Sequence, residues 1–433
     1  MIFTHGKIRY VLPRRSTTVS ANFMIKPALV LLAVVSSFVA VTTRNSAQAP
    51  SLAPFTIDSI ASPTGPGSAE PNLTVAADGR VYMSWLQSSD SGSALRFAVH
   101  DGARWSAART IAASRDFFVN WADFPSIEVL DSTHLAAHWL QRNGRSTYAY
   151  GVRIAQSNDG GVTWRAPLTP HRDSTQTEHG FVAMWHEGTT LSAAWLDGRK
   201  FSKEGHDPSN EMSLVTTTVS PNGTRGPEVR LDERTCDCCQ NAAAVTSAGP
   251  IVAYRNRSTD EIRDVYLTRR VAGTWITGVP VNNDRWKIAA CPVNGPAIAA
   301  RGHRVALAWF TAPNDSARVN VAFSDNDGAT FGKPTRVDGG DPAGRVDVSL
   351  LADGGALVTW VERTGGDVAQ VRARRVNRDG KGGAVVTIAS SSAARASGFP
   401  KSVVTGTNVV FAWTLAGKPS VVRVARASLS EFK

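Results

Sequence analysis

Seven times along this chain a short apolar run is followed by a turn and a second run that ends in a large aromatic. The closing aromatics are Trp85, Trp139, Trp195, Tyr254, Trp309, Trp360 and Trp413, separated by 54, 56, 59, 55, 51 and 53 residues. A unit of about 50 residues cannot bury its apolar faces alone, so it must pack against copies of itself. The first halves of the units occupy residues 70–85, 123–139, 179–195, 239–254, 292–309, 346–360 and 399–413. The second halves carry further alternating runs, for example 95–100 with Ile111, 212–219 with 229–231, and 371–376 with 385–388. Each unit therefore supplies four short strands, the pattern of a propeller blade. The seventh unit stops after residues 421–427 and lacks a fourth strand, whereas residues 54–61 form an orphan strand ahead of the first unit. Pairing these two removes two open sheet edges. The expected fold class is all-β, a β-propeller of seven four-stranded blades closed by the N- and C-terminal strands. Six blades is the alternative if the weakest units, those ending at Tyr254 and Trp413, are not full members.

Between two strands of the second unit lies Ser157-Asn158-Asp159-Gly160-Gly161-Val162-Thr163-Trp164. Asp159 can accept hydrogen bonds from the amides of its own turn, and the two glycines supply positive φ. A second copy, Ser324-Asp325-Asn326-Asp327-Gly328-Ala329-Thr330-Phe331, has Asn in place of the Asp and Phe in place of the Trp, and residues 99–105 hold a degenerate third. The pattern Ser-x-Asp-x-Gly-x-Thr-Trp resembles the Asp-box, or BNR repeat, of the sialidase-like β-propellers. The resemblance spans almost the whole chain after residue 50. In that family the box is a scaffold turn away from the active site, and catalytic domains usually have six blades.

Composition adds limits. Of the net charge of +11, Lys7, Arg9, Arg14, Arg15, Lys26 and Arg44 contribute six in the first 49 residues, which hold no acid, so +5 is left for the rest. That mild excess contains no Lys/Arg run. It argues against a nucleic-acid partner and suits a glycan or other anionic small-molecule ligand. Residues 1–49 read as an N-terminal extension and signal peptide: Lys26, an uncharged run over 27–43, then Ala47-Gln48-Ala49. Met24 is an alternative start to Met1. A retained anchor is the rival reading, although a run this short is at the lower limit for a bilayer. The expectation is a periplasmic or secreted protein, with no stable membrane insertion after cleavage and residues 50–433 forming one propeller domain. No phosphate loop or dinucleotide fingerprint is present, so no cofactor is expected.

If the Asp-box turns join third and fourth strands on one face, then the segments leading into inner strands, and those joining second to third strands, lie on the other. That opposite face collects Asp123, His179, Arg199, Arg255, Arg257, Glu261, Arg345 and Asp347. Such a rim is a candidate glycan or carboxylate site. The family resemblance implies three arginines on a carboxylate, a Tyr nucleophile with a Glu helper, and an Asp acid/base. Arg199, Arg255 or Arg257, and Arg345 are the candidates for the arginine cluster, with Asp347 and His179 beside them; Asp123 is the acid/base and Glu261 the helper. The sequence departs from the family in two ways. It has no Phe-Arg-Ile-Pro motif, and no Tyr follows Tyr266, leaving Tyr254 as the mouth-side candidate. A glycosidase using two carboxylates, Asp123 and Glu261, is therefore a second possibility.

All four cysteines fall in segments leading into two adjacent blades: Cys236, Cys238 and Cys239 in one, Cys291 in the other. They should meet on the same face. In an exported protein two disulfides are the default. A thiolate site for a soft ion such as Cu(I) or Zn is the alternative, with the metal's identity open. Three functions fit these residues: a glycoside hydrolase, a noncatalytic cell-envelope binding or assembly module, and a Cys-based metal-binding propeller.

Overall fold

The computed structural model describes residues 55–201 and 209–433. Residues 1–49, read above as an N-terminal extension and signal peptide, lie outside these residues. Seven antiparallel sheets follow one another along the chain. Blade 1 is Ser68–Val75, Val81–Ser89, Gly92–His100 and Arg109–Ser114. Blade 3 is His179–Glu187, Thr190–Asp197, Met212–Val219 and Val229–Thr235. Inner strands Ser126–Val129, Ala242–Thr246, Ala297–Arg301, Pro342–Leu350 and Lys401–Thr405 open blades 2, 4, 5, 6 and 7. Each inner strand touches those of the blades before and after it, and the seventh meets the first, so the strands encircle a central channel.

The ring closes as the orphan strand implied. Asp58–Ile60 pairs antiparallel with Val421–Ser428, placing Asp58 opposite Arg426 and Ile60 opposite Val424. Two blades depart from four regular strands. In blade 2 the fourth strand is reduced to a single bridge between Ile154 and Leu168, because Pro167 and Pro170 flank Leu168 and cannot donate to a ladder. In blade 4 the fourth position is split between Thr274–Trp275 and Val279–Pro280, both paired with Val265–Val271.

The closing aromatics pack between blades. Trp85, Trp195, Trp309, Trp360 and Tyr254 are fully buried, each worth on the order of 2–3 kcal/mol in apolar area. A buried indole N–H needs an acceptor, and period-two geometry supplies it from the same strand face two residues on. Trp85 donates to Gln87, Trp139 to Gln141, Trp195 to Asp197 and Trp360 to Glu362.

The Asp-boxes form the turns their residues imply. Asp159 Oδ1 accepts from the amides of Val162 and Thr163 at 3.0 and 2.9 Å, while Ser157 Oγ accepts from Gly161 N at 2.9 Å. Trp164 folds back edge-on to Phe97 at 6.0 Å. In the second box Asn326 keeps the bonds to Thr330, its Oδ1 accepting from Thr330 N and its Nδ2 donating to Thr330 Oγ1, while Ala329 N donates to the Asn326 carbonyl instead of its side chain.

Candidate functional site

Both boxes lie against the turns that join first to second strands. Gly160 N donates to Thr133 O, and Asp327 N donates to His303 O. Antiparallel order then sends the segments leading into inner strands, and the second-to-third connections, to the opposite end of the channel. Contacts across that end tie its residues together. Gln240 Nε2 donates to Ala122 O and its Oε1 accepts from Gly295 N, so one side chain links segments of blades 2, 4 and 5.

Asp123 sits in the wall of the channel where the chain enters blade 2. Its Oδ1 accepts from Phe181 N at 2.7 Å, and its Oδ2 accepts from Tyr150 Oη at 3.3 Å. The same Tyr150 hydroxyl is 2.6 Å from Glu178 Oε1. Gly180 makes room for this packing, since a Cβ there would lie 2.0 Å from Asp123 Oδ2. Phe118 stacks on Tyr150 from behind at 3.8 Å. Burial raises the Asp123 carboxyl to about 7, partly opposed by hydrogen bonds from Phe181 and Tyr150. Burial also raises Glu178 to about 8, with Asp123, Asp237 and Cys291 adding repulsion. Glu70, one blade away, is raised to about 8 by burial and by the charge of Asp123. Beside Asp123, half-buried Trp121 and Phe124 pack on Phe399 at 5.9 and 5.5 Å.

Glu261 has the reverse character. Burial would raise its carboxyl, but Arg257 and Arg263 overcome that and lower it. It receives Arg257 Nη2 at 2.9 Å, Arg263 Nη2 at 2.8 Å and Arg234 Nη2 at 3.3 Å. Asp123 and Glu261 thus belong to separate networks on one face, one acid protonated near neutrality and the other ionised.

Arg199, Arg255, Arg257 and Arg345 do not form one cluster; four different sets of partners hold them. Arg199 pairs with Asp197 at 2.6 Å and Glu228 at 2.9 Å. Arg255 donates to the carbonyls of Asn294, Arg263 and Phe310 and lies over the Trp286 ring. Arg257 donates to Asn210 O as well as to Glu261. Arg345 Nη1 donates to Ser397 Oγ at 2.6 Å, its Nη2 to Ala393 O at 3.0 Å, and its guanidinium covers Trp121. His179 is buried between Asp173 at 3.1 Å and Asp197 at 3.5 Å and stacks on His171. Burial opposes its charge, yet these two carboxylates raise it to about 9. Asp347 lines the channel and accepts from Ser402 N at 2.7 Å.

The four cysteines converge as free thiols. Cys236 Sγ lies 2.7 Å from Cys239 Sγ and 3.7 Å from Cys238 Sγ. Cys291 reaches the same corner from blade 5, close to Cys238 and 4.0 Å from Asp237 Oδ1. Arg263 Nη1 stands 3.3 Å from Cys236 Sγ and 3.3 Å from Asp237 Oδ1. Against the penalty of burial, the Cys238 and Cys239 thiols and the nearby guanidinium groups hold the Cys236 thiol well below the ordinary range.

A pH dependence of stability follows. Glu70, Asp123 and Glu178 have raised values in the fold, so between about pH 4 and pH 8 the folded chain binds protons that the unfolded chain releases. The stability this confers is complete below about pH 4 and is lost as pH rises through 7 to 8. His179 acts in the same direction between 6.5 and about 9. The denaturant midpoint should fall from pH 6 to pH 9 by the equivalent of at least ~1.4 kcal/mol, one group over one pH unit. The Glu178→Gln variant should flatten that slope. Urea titrations at both pH values check this, and a midpoint that rises with pH contradicts it.

Tyr150 is one member of this site that sequence reasoning missed. The mouth-side tyrosine named from the sequence, Tyr254, instead hydrogen-bonds Asp232 between blades and is fully buried. Tyr150 reads as a strand residue, yet it is the first residue of the third strand of blade 2, directly after a connection on the mouth face. That position was the available signal.

No family model and no curated protein sequence matches the chain. Among solved structures it is similar to a protein of unknown function from Dyadobacter fermentans DSM 18053, at 13% identity and TM-score 0.50 over 84% of this chain and 94% of that one. It is similar to polysaccharide lyase Uly1 at 10% identity and TM-score 0.50, covering 89% and 94%. A Trypanosoma rangeli sialidase in complex with sialic acid aligns at 13% identity and TM-score 0.43, over 75% of this chain and 56% of that one. At such identities a likeness carries architecture alone. That architecture is a seven-bladed β-propeller whose ring is zipped by the two chain ends and whose third-strand turns carry the Asp-box-like hydrogen bonds.

Proposed function

We propose that this protein is an exported glycoside hydrolase acting on a glycan at the channel mouth, on the face opposite the Asp-boxes. The observation that carries the proposal is Asp123: a carboxyl in the channel wall, raised to about 7 and flanked by half-buried Trp121 and Phe124. A carboxyl that keeps its proton near neutrality can deliver it to a glycosidic oxygen. Glu261, held ionised by arginines, has the opposite character on the same face, and carboxyls whose environments push them apart are one condition for paired acid and base roles. That polysaccharide lyase Uly1 shares this fold is in keeping with a glycan ligand.

The test is the wild-type chain against a panel of aryl glycosides and oligosaccharides. Turnover with a pH optimum near 6 to 7 is the expected result. Binding of a glycan in a calorimeter with no turnover anywhere in the panel would sink the hydrolase and leave the noncatalytic envelope module in its place.

A further inference from the structure

The turn that leads into blade 4 folds three thiols into one pocket. Thr235 ends the last strand of blade 3, Ala242 begins the inner strand of blade 4, and the C-x-C-C sequence turns between them. Cys236, Cys238 and Cys239 are each at most 5% exposed, and their sulfurs all lie within 4.8 Å of one another. Apolar side chains, including Phe181 and Phe399, pack in the same cluster. Arg263 stands 3.3 Å from Cys236 Sγ, and Arg255 is joined to Arg263 through its carbonyl.

We propose that Cys236, Cys238 and Cys239 form a buried, three-coordinate site for a soft monovalent ion, Cu(I). Thiolate sulfur selects soft ions. A structural zinc site closes with four protein ligands, whereas the shared sphere here holds three sulfurs. Cys291 reaches this corner beside Cys238 and Asp237 but is not grouped with Cys236 and Cys239, and it is exposed. With metal–sulfur bonds of about 2.3 Å, a trigonal site spaces its sulfurs about 4 Å apart. Cys236 and Cys238 are already at 3.7 Å, and Cys239 must move away from Cys236 by about 1 Å from its 2.7 Å position. Binding requires all three sulfurs as thiolates, and the S–H protons still held go to solvent. It leaves a net charge of −2, faced by the Arg263 and Arg255 guanidinium groups. This site is independent of glycan turnover and stands or falls separately from it.

The experiment is an anaerobic titration of the reduced chain with Cu(I) buffered by bathocuproine disulfonate, followed by X-ray absorption of the loaded wild type. One equivalent retained per chain, a first shell of three sulfurs, and at least a ~100-fold loss of affinity in Cys236→Ser and Cys239→Ser are expected, with Cys291→Ser still binding one equivalent. Complete loss of copper to the chelator, a first shell of four sulfurs or of nitrogen and oxygen, or loss of binding in Cys291→Ser would overturn the proposal. Should the serine variants fail to fold, the wild-type first shell decides alone. An air-oxidised chain that locks Cys236 to Cys239 and cannot be loaded after reduction also overturns it.

Discussion

Asp123→Asn is expected to lower kcat on the best glycan substrate by roughly 10²- to 10⁴-fold, the range for removing a general acid, with little change in fold. The amide is nearly isosteric with the carboxyl. Its oxygen can keep the 2.7 Å bond from Phe181 N, and its NH₂ can donate to Tyr150 Oη, which still donates to Glu178. What is lost is the proton that burial keeps on the carboxyl near neutrality. Glu261→Gln should lower turnover and also loosen Arg257 and Arg263, whose charges it balances, so both KM and kcat should respond. Steady-state kinetics on the two variants, with circular dichroism to confirm the fold, reads the result. An Asp123→Asn enzyme retaining more than about a tenth of wild-type kcat would remove Asp123 from the chemistry.

The largest expected loss of stability is at Arg255. Its side chain is 1% exposed and bonds Asn294 O at 2.9 and 2.7 Å and Phe310 O at 2.7 Å, with Trp286 across the guanidinium at 5.0 Å. It therefore pins the segment leading into blade 5 to the second strand of the same blade. Arg255→Ala leaves several buried carbonyls without a donor, each costing about 1–3 kcal/mol, and adds a cavity. A total near 4 kcal/mol is expected, read as a lower urea midpoint. Arg255→Lys should recover little of it, since an ammonium cannot reproduce the planar fork. A variant within ~1 kcal/mol of wild type would show that the loops are held by other means.

Some of the molecule was legible because it is governed by short-range rules. Seven aromatics at near-constant spacing, each inside the second strand of its blade, mark seven sheets, and the missing fourth strand of the last unit predicts its replacement by Asp58–Ile60. Asp159 and Gly161 specify their own turn. Where prolines intervene, as beside Leu168, a local rule also accounts for the shortened strand. The convergence of Cys236, Cys238, Cys239 and Cys291 followed from which strand ends point the same way.

Side-chain partnership was a different matter. Whether Arg345 faces a ligand or the carbonyls of 393–398 depends on a loop some 50 residues later in the chain. Tyr150 joins Asp123 and Glu178 only because Gly180 lets blades 2 and 3 approach closely there. The sequence by itself determined the strand repeat, the turn chemistry and the face on which each segment emerges, since these depend on residues near one another in the chain. Only the tertiary structure decided which acids are buried and protonated, which are paired and ionised, and which arginines bind backbone, because burial and charge pairing are set by neighbours that the ring brings together from distant blades.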